Sequence, residues 1–131
     1  MTIKIIDFPK IVDPRGSLTF LQNPQFIPFE IQRVYWVYNV PLNGGGGGYA
    51  YKQQDEVIIA LNGSFEVVIK SKDESTQKFT LIHSHQGLYV PALTWRHIEN
   101  FSSNSICLHL SSQKYSADDY IKDFETLKKQ S

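Results

Sequence analysis

Short segments in which apolar and polar residues alternate recur along this chain, with turn-forming residues between them. Phe65, Val67 and Ile69 alternate with the polar residues Ser64 and Glu66. Side chains two positions apart on a strand point to the same face, so this alternation predicts a strand with one apolar face. The same reading predicts strands at residues 3–8, 17–21, 31–39, 49–54, 56–61, 64–70, 77–82, 87–90, 95–100 and 105–111.

Glycine, proline and asparagine separate these segments. Asn62 and Gly63 stand between two apolar runs, and this pair is typical of a two-residue hairpin turn because both residues tolerate positive φ. Residues 13–16 and the glycines at 44–48 mark further turns. About ten short strands are typical of a sandwich or barrel, in which packed sheets cover the edges that one open sheet would expose. We therefore predict an all-β fold.

The end of the chain has a helical period instead. Ser116 and Asp119 have the spacing of a capping box, which favours a helix that begins at Ser116. The apolar positions that follow at helical spacing are Tyr120, Ile121, Phe124 and Leu127. We predict one C-terminal helix over residues 116–130, packed on a β-barrel formed by residues 1–114.

The length and the net charge of the chain limit the classes of function that it can have. A chain of 131 residues has room for one domain, since domains run to roughly 100–200 residues, so we expect a single domain over 1–131. Lys and Arg together number 13, as do Asp and Glu, and no global field draws the protein to nucleic acid or an anionic membrane. We expect neither as a partner.

The N-terminal residues and the number of cysteines indicate the cellular compartment in which the protein is expected. Residues 1–13 lack the apolar run and cleavage site of a signal peptide, and no segment reaches the ~20 apolar residues of a membrane span. We therefore expect a cytoplasmic protein. The single cysteine, Cys107, lies in the apolar segment Ile-Cys-Leu-His-Leu and is expected to be a buried strand thiol.

Residues 44–63, GGGGGYAYKQQDEVIIALNG, have the spacing of the first cupin motif: a glycine turn, two histidines one residue apart, an acidic residue and a distal glycine. Tyr49 and Tyr51 occupy the two histidine positions, and Asp55 or Glu56 is the acidic residue. The two tyrosines share a strand face, which predicts that they line a pocket; the alternative is that they are core or rim aromatics. Because both imidazoles are replaced, we expect no metal and no cofactor.

Four cations stand near turns or aromatic residues: Arg15, Arg33, Lys52 and Arg96. The planar guanidinium of arginine can bind two phosphate oxygens, so several of these side chains around one pocket would suit a diphosphate. Each one taken singly is more often a solvated surface charge. His83 and His85 lie in a loop-like segment, and we expect them to be solvated rather than metal ligands.

Six segments together resemble a known family, the dTDP-4-oxo-6-deoxyglucose 3,4-ketoisomerases, or WxcM-like sugar isomerases. The resemblance covers nearly the whole chain, and the segments are DPRGSL (13–18), IPFEIQRVYWVYNV (27–40), YAYK (49–52), IIALNGSFEVVI (58–69), GLYVPALTWRHIENFSSNS (87–105) and DDYI (118–121). It implies a small cupin, a double-stranded β-helix or jelly roll, that forms a homodimer with exchanged N-terminal strands and acts without metal. The implied substrate is a dTDP-linked 4-keto-6-deoxyhexose, whose keto group moves to C3 through an enediol in making amino sugars for surface polysaccharides such as lipopolysaccharide O-antigen.

The chain departs from that family at the expected catalytic positions. The family pattern at 46–52 is similar to RGxHAHK or RGGHAYK, so Tyr51 matches one variant while Tyr49 replaces the expected base. A phenol has a pKa near 10, so Tyr49 acts as a base only if neighbouring cations lower its pKa by several units. His97 is another candidate base, but it faces away from a pocket that Arg96 faces unless a bulge intervenes.

Two hypotheses of different class follow, an isomerase and a binding protein. In the isomerase, the catalytic candidates are Tyr49, Tyr51 and His97. The substrate-binding candidates are Arg15, Arg33, Tyr35, Lys52, Trp95 and Arg96, with Arg33 and Arg96 on the diphosphate and Tyr35, Trp36 or Trp95 on thymine. In the alternative, the barrel binds dTDP or a nucleotide sugar without isomerising it. A 3,5-epimerase of dTDP-sugars is a less favoured third possibility.

Overall fold

Strands dominate the regular structure of residues 2–130, the part of the chain that the computed structural model describes. They are β1 Lys4–Asp7, β2 Lys10–Asp13, β3 Gly16–Thr19, β4 Arg33–Val37, β5 Ala50–Tyr51, β6 Glu56–Asn62, β7 Phe65–Lys70, β8 Thr76–Leu81, β9 Gln86–Val90, β10 Trp95–Glu99, β11 Ile106–Ser111 and β12 Tyr120–Ile121. The all-β prediction is confirmed, and β2 and β12 are strands that the sequence pattern did not predict.

Two antiparallel sheets face each other across the main core. One has five strands in the order β1-β9-β6-β11-β4, and the other has three in the order β10-β7-β8. Alternate residues of the facing strands fill the space between them, including Ile58 and Ala60 of the first sheet and Val67 and Ile69 of the second. The short pair β12-β5 and the hairpin β2-β3 form two further sheets. This is the two-layer arrangement of a jelly roll.

The turn at Asn62 and Gly63 does not make the predicted hairpin. Gly63 has the expected positive φ of 70°, but β6 pairs with β9 and β11 while β7 pairs with β8 and β10. The Asn62 amide donates to the carbonyl of Asn104, and the Ser64 amide donates to Ser102 Oγ. The hairpin prediction is wrong because these contacts with a distant loop direct the chain from one sheet into the other.

The prediction of one C-terminal helix is confirmed, but its bounds are wrong: α1 covers Phe124–Lys128 rather than residues 116–130. Ser116 makes no side-chain cap; a 3-10 turn at Ala117–Asp119 leads instead into β12, which pairs with β5. Tertiary contacts explain the difference, since the Asp119 carboxylate accepts hydrogen bonds from the backbone amides of Gln53 and Gln54. Within residues 2–130, no helix has the length and apolarity needed to cross a membrane.

Candidate active site

A cavity of about 450 Å³ opens between β4, β5 and β11. Its walls include five tyrosines and three further polar side chains, namely Tyr35, Tyr38, Tyr49, Tyr51, Tyr120, Asn39, Cys107 and His109. Residues 45–47, which belong to the glycine run, also line it. A cavity of this size is typical of small-molecule sites, which run from about 300 to 1,000 Å³.

Tyr49 and Tyr51 point into this cavity together, as their spacing predicts. Their ring centres lie 5.5 Å apart in an edge-on arrangement, while the intervening Ala50 packs in a separate apolar cluster on the other face. The Tyr51 hydroxyl lies 3.2 Å from that of Tyr35 and donates to that of Tyr120 at 3.1 Å. Three strands therefore each bring a phenol into one hydrogen-bonded group.

The Tyr49 phenol does not meet the condition for acting as a base. Burial and the charge of Glu56 raise the pKa of Tyr49 well above its ordinary value of 10.0, although Arg96 acts in the opposite direction. The Arg96 guanidinium carbon lies 5.1 Å from the Tyr49 ring centre, over the ring rather than at the hydroxyl. Tyr49 is therefore protonated at neutral pH, and its hydroxyl can donate a hydrogen bond but cannot take a proton.

Glu56 is the acidic residue that faces the site, and it is completely buried. Its carboxylate accepts hydrogen bonds from Arg96 Nη1 at 3.1 Å, the Tyr35 hydroxyl at 3.1 Å and Gln54 Nε2 at 3.4 Å. Burial would raise the pKa of Glu56, but the charges of His109 and Arg96 outweigh it and hold that pKa at about 2. The site thus contains a fixed negative charge.

His109 lies against this carboxylate, with Nδ1 3.3 Å from Glu56 Oε2. Its ring stacks on Tyr35 at 4.4 Å with an angle of 4°, and its Nε2 lies 3.2 Å from Cys107 Sγ. Burial would lower the pKa of His109, but Cys107 and Glu56 raise it to about 10. His109 is therefore an imidazolium at neutral pH.

Sequence reasoning did not single out His109 for the site. It placed His109 in a strand and left open whether Asp55 or Glu56 faces the pocket. The sequence did contain a usable indication. Cys107 and His109 lie two positions apart on one predicted strand, so their side chains are expected to share a face. Cys107 is completely buried, as predicted.

Arg96 and His97 face opposite sides of β10. Arg96 is completely buried, and its Nε and Nη2 atoms have no hydrogen-bond partner among the described residues. His97 lies on the other face, where Nε2 is 2.6 Å from Glu99 Oε1. No bulge interrupts the pairing of β10 with β7, so the expectation that His97 faces away from Arg96 is confirmed. The structure does not bring His97 to the cavity.

The other cations do not converge on the cavity. Arg15 lies at the exposed β2–β3 turn, where Nη2 is 2.8 Å from Asp13 Oδ2, and Lys52 is exposed beside Asp119. Arg33 lies closest to the site: Nη2 donates to Gln54 Oε1 at 3.2 Å, and its guanidinium is 4.6 Å from the Tyr35 ring centre.

Trp95 is a core residue rather than a cavity residue. Its ring packs edge-on against Phe124 at 5.5 Å and belongs to a cluster with Ala50, Ile121 and Leu127. The rings of His83 and His85 lie 5.0 Å apart in the loop before β9. Within residues 2–130, no three or more His, Cys, Asp or Glu side chains have an arrangement that could hold a metal ion.

Comparisons of the sequence and of the structure with known proteins point to the same family. The family model described as "FdtA: WxcM-like, C-terminal" matches residues 1–131. The chain is 36% identical over 129 residues to the TDP-4-oxo-6-deoxy-alpha-D-glucose-3,4-oxoisomerase of Aneurinibacillus thermoaerophilus, a match covering 98% of this chain and 92% of that protein.

Solved structures agree with this assignment. The WlaRB TDP-quinovose 3,4-ketoisomerase of Campylobacter jejuni is similar with a TM-score of 0.91, 33% identity and 98% coverage of both chains. The 3,4-ketoisomerase QdtA of Thermoanaerobacterium thermosaccharolyticum, solved in complex with TDP, has a TM-score of 0.92 at 31% identity, covering 95% of this chain and 90% of that one. The RmlC epimerase of Mycobacterium tuberculosis, at 18% identity, a TM-score of 0.75 and coverage of 92% of this chain and 68% of that one, shares the cupin fold. The chain has the cupin fold and belongs to the WxcM-like family, whose members include sugar 3,4-ketoisomerases.

Proposed function

We propose that this protein is a 3,4-ketoisomerase that converts a TDP-linked 4-keto-6-deoxyhexose, with TDP-4-keto-6-deoxyglucose as the first candidate, into its 3-keto isomer. The observation that carries this proposal is the family match along residues 1–131, in a fold whose cavity is lined by five tyrosines and by His109 of a buried cluster with Glu56 and Arg96. The product would be a precursor of amino sugars for surface polysaccharides.

The chemistry requires a proton to leave C3, an enediol to form and a proton to arrive at C4. Hydrogen-bond donors that are fixed before the substrate arrives stabilise the charge that develops on the sugar oxygens, and loss of one such donor typically costs a factor of about 10²–10³ in turnover. We assign this role to the protonated hydroxyls of Tyr49 and Tyr51. The group that takes the proton is a separate question, because neither hydroxyl is suited to it.

Arg33 is the proposed contact to the diphosphate. It lies against Tyr115 and against Tyr35, which lines the cavity, and its Nε is buried without a hydrogen-bond partner among the described residues. A phosphate oxygen is a suitable acceptor for such a donor. Arg96 is less suitable, because it is fully buried on Glu56. Arg15 and Lys52 remain proposed contacts to the nucleotide, to be tested by the TDP affinity of their alanine variants.

We also propose that the protein forms a homodimer in which the N-terminal hairpin is exchanged. Among the described residues, β2 and β3 pair with each other and with no other strand. Ile11, Val12 and Leu18 of this hairpin are each more than half exposed, and Trp36 is 56% exposed on the five-stranded sheet. Large exposed apolar side chains that occur together in this way favour an interaction surface.

The direct test of the activity is incubation with TDP-4-keto-6-deoxyglucose in deuterated water, followed by proton NMR. We expect a 3-keto product and deuterium at C3 or C4. Binding of TDP in calorimetry without isomer or deuterium would overturn the proposal and favour the binding protein instead. Epimerised product in the same experiment would indicate the 3,5-epimerase reaction. The cytoplasmic location expected from the sequence stays part of the proposal and can be checked by cell fractionation.

A further inference from the structure

Three side chains from two adjacent strands form a continuous line of contacts in the cavity wall. Cys107 Sγ lies 3.2 Å from His109 Nε2, and His109 Nδ1 lies 3.3 Å from Glu56 Oε2. Cys107 and His109 share the inward face of β11, and β11 pairs with β6, which begins at Glu56. A thiol, an imidazole and a carboxylate in this order are the parts of an activated cysteine, in which the acid orients the imidazole and the imidazole activates the sulfur.

Cys107 is completely buried in the cavity wall, and its sulfur ends this line of contacts. Both nitrogens of His109 are engaged, one by Glu56 and the other by Cys107, so the ring has no third nitrogen to offer to the cavity. Cys107 lines the same cavity as Tyr49 and Tyr51. A thiolate is stabilised by a neighbouring imidazolium, and cysteine is one of the side chains that serve as general acids and bases.

The groups packed around the pair include one buried ion pair and two phenols. Glu56 of β6 is held ionised by Arg96 of β10, and it faces the imidazole on the side opposite the sulfur. The other titratable groups packed against the pair are the phenols of Tyr35 on β4 and Tyr49 beside β5, both protonated because burial raises their pKa values. A thiolate and an imidazolium would thus complete a neutral set with the Glu56–Arg96 pair.

We propose that Cys107 is the catalytic acid–base group of this ketoisomerase, with His109 and Glu56 as the residues that position and charge it. This inference rests on the proposed function and deepens it, because it identifies the proton-transfer group that Tyr49 does not provide. The imidazole missing from the strand at Tyr49 is replaced by a thiol and an imidazole on β11, across the same cavity.

The proposed reaction balances without any further reactant. The Cys107 thiolate takes the proton from C3; the electron pair of the broken C3–H bond forms the C3–C4 double bond, and the carbonyl pair moves onto the C4 oxygen. The hydroxyl proton on the C3 oxygen passes to the C4 oxygen. The C3 oxygen then forms the new carbonyl, the double-bond pair takes the proton from the thiol at C4, and the thiolate is restored.

The absorbance of the thiol tests the inference without relying on turnover. Cys107 is the single cysteine of the chain, so absorbance near 240 nm follows its ionisation. We expect the absorbance at neutral pH to show a thiolate in the wild-type protein and to be lower in His109→Gln, because the imidazolium that would stabilise the thiolate is then removed. Equal absorbance of the two proteins at neutral pH would overturn the inference.

Kinetics of the isomerisation give the second test. We expect Cys107→Ser to lower kcat by a factor of about 10²–10⁴, the usual contribution of a general acid–base group, with TDP affinity unchanged within about twofold. Leu108→Val changes the neighbouring residue on the opposite face of β11 and should leave kcat within about twofold. A folded Cys107→Ser protein that keeps kcat within about threefold of wild type would overturn the inference. If the wild-type protein isomerises no TDP-sugar, the proposed function fails, whereas the thiol absorbance still decides whether Cys107 is activated.

Discussion

Arg96 and Glu56 form a fully buried ion pair, with Arg96 Nη1 3.1 Å from Glu56 Oε1, and it joins the two facing sheets through β10 and β6. Arg96 also lies 5.1 Å and 5.2 Å from the ring centres of Tyr49 and Tyr51. The carboxylate of Glu56 in turn contacts His109 and Tyr35. One ion pair therefore positions both the aromatic and the charged walls of the cavity.

Removal of the carboxylate should destabilise the protein strongly. Glu56→Leu leaves the guanidinium of Arg96 buried without its partner, and breaking a buried pair in this way typically costs about 3–5 kcal/mol. Lys78→Met is the matched control, because Lys78 is half exposed and its pairs with Glu66 and Glu99, both at 3.7 Å, should contribute about 0–1 kcal/mol. Urea unfolding measures both. Similar free energies of unfolding for the two variants would contradict this account of the pair.

The stabilising effect of His109 should depend on pH in a defined direction. Its folded pKa of about 10 lies above the ordinary 6.5, so its contribution is complete below pH 6.5 and is lost as the pH rises toward 10. Glu56, lowered from 4.5 to about 2, contributes above pH 4.5 and loses that contribution as the pH falls toward 2.

Unfolding of wild type and His109→Gln in urea at several pH values between about 5.5 and 9.5 isolates the histidine. The difference in free energy of unfolding should be largest at the acidic end of this range and should shrink at each step upward. A difference that stays constant or grows with pH would exclude a buried imidazolium.

Positions in the glycine run differ in whether they require glycine, as Gly48 and Gly47 illustrate. A Cβ on Gly48 would lie 2.3–2.5 Å from three atoms of the Trp95 indole ring, whereas a Cβ on Gly47 would meet nothing within 4 Å. Trp95 is buried against Phe124 and has no space to retreat. We expect Gly48→Ala to cost about 1–3 kcal/mol by overpacking and Gly47→Ala to be close to neutral. The thermal unfolding midpoints of the two variants test this expectation, and equal midpoints would contradict it.

The dimer proposal predicts different behaviour for two exposed leucines. Leu18 lies on the β2–β3 hairpin and is 56% exposed, while Leu42 lies in the loop before the glycine run and is 91% exposed. We expect a homodimer whose dissociation constant rises at least tenfold in Leu18→Lys, because a charge would be buried in the interface. Leu42→Lys should leave assembly unchanged. Analytical ultracentrifugation gives both values, and a monomeric wild-type protein would refute the proposal.

Sequence patterns correctly predicted the features that depend only on residues close together in the chain. Alternation located most of the strands, and parity correctly placed Tyr49 and Tyr51 on one face and His97 away from Arg96. The turn at Gly63 was found, but the partners of β6 and β7 were not, because strand pairing is settled by contacts between segments far apart in sequence. The same reason hid the contact between Glu56 and His109, which are 53 residues apart. The predicted start of the helix at Ser116 was wrong because pairing with β5 outweighed a local helical period.

The buried ion pair of Arg96 and Glu56 limits which substitutions the site can accept. A histidine introduced at position 49 would enter a cavity wall that already holds the cations of Arg96 and His109, balanced in the proposed ionisation state by Glu56 and Cys107. A third cation there would lack a counter-charge. Either the new imidazole would therefore stay neutral, or a neighbouring group would lose its proton. The residues at positions 49, 56, 96 and 109 are therefore interdependent, and a productive exchange of one of them requires compensating exchanges in the others.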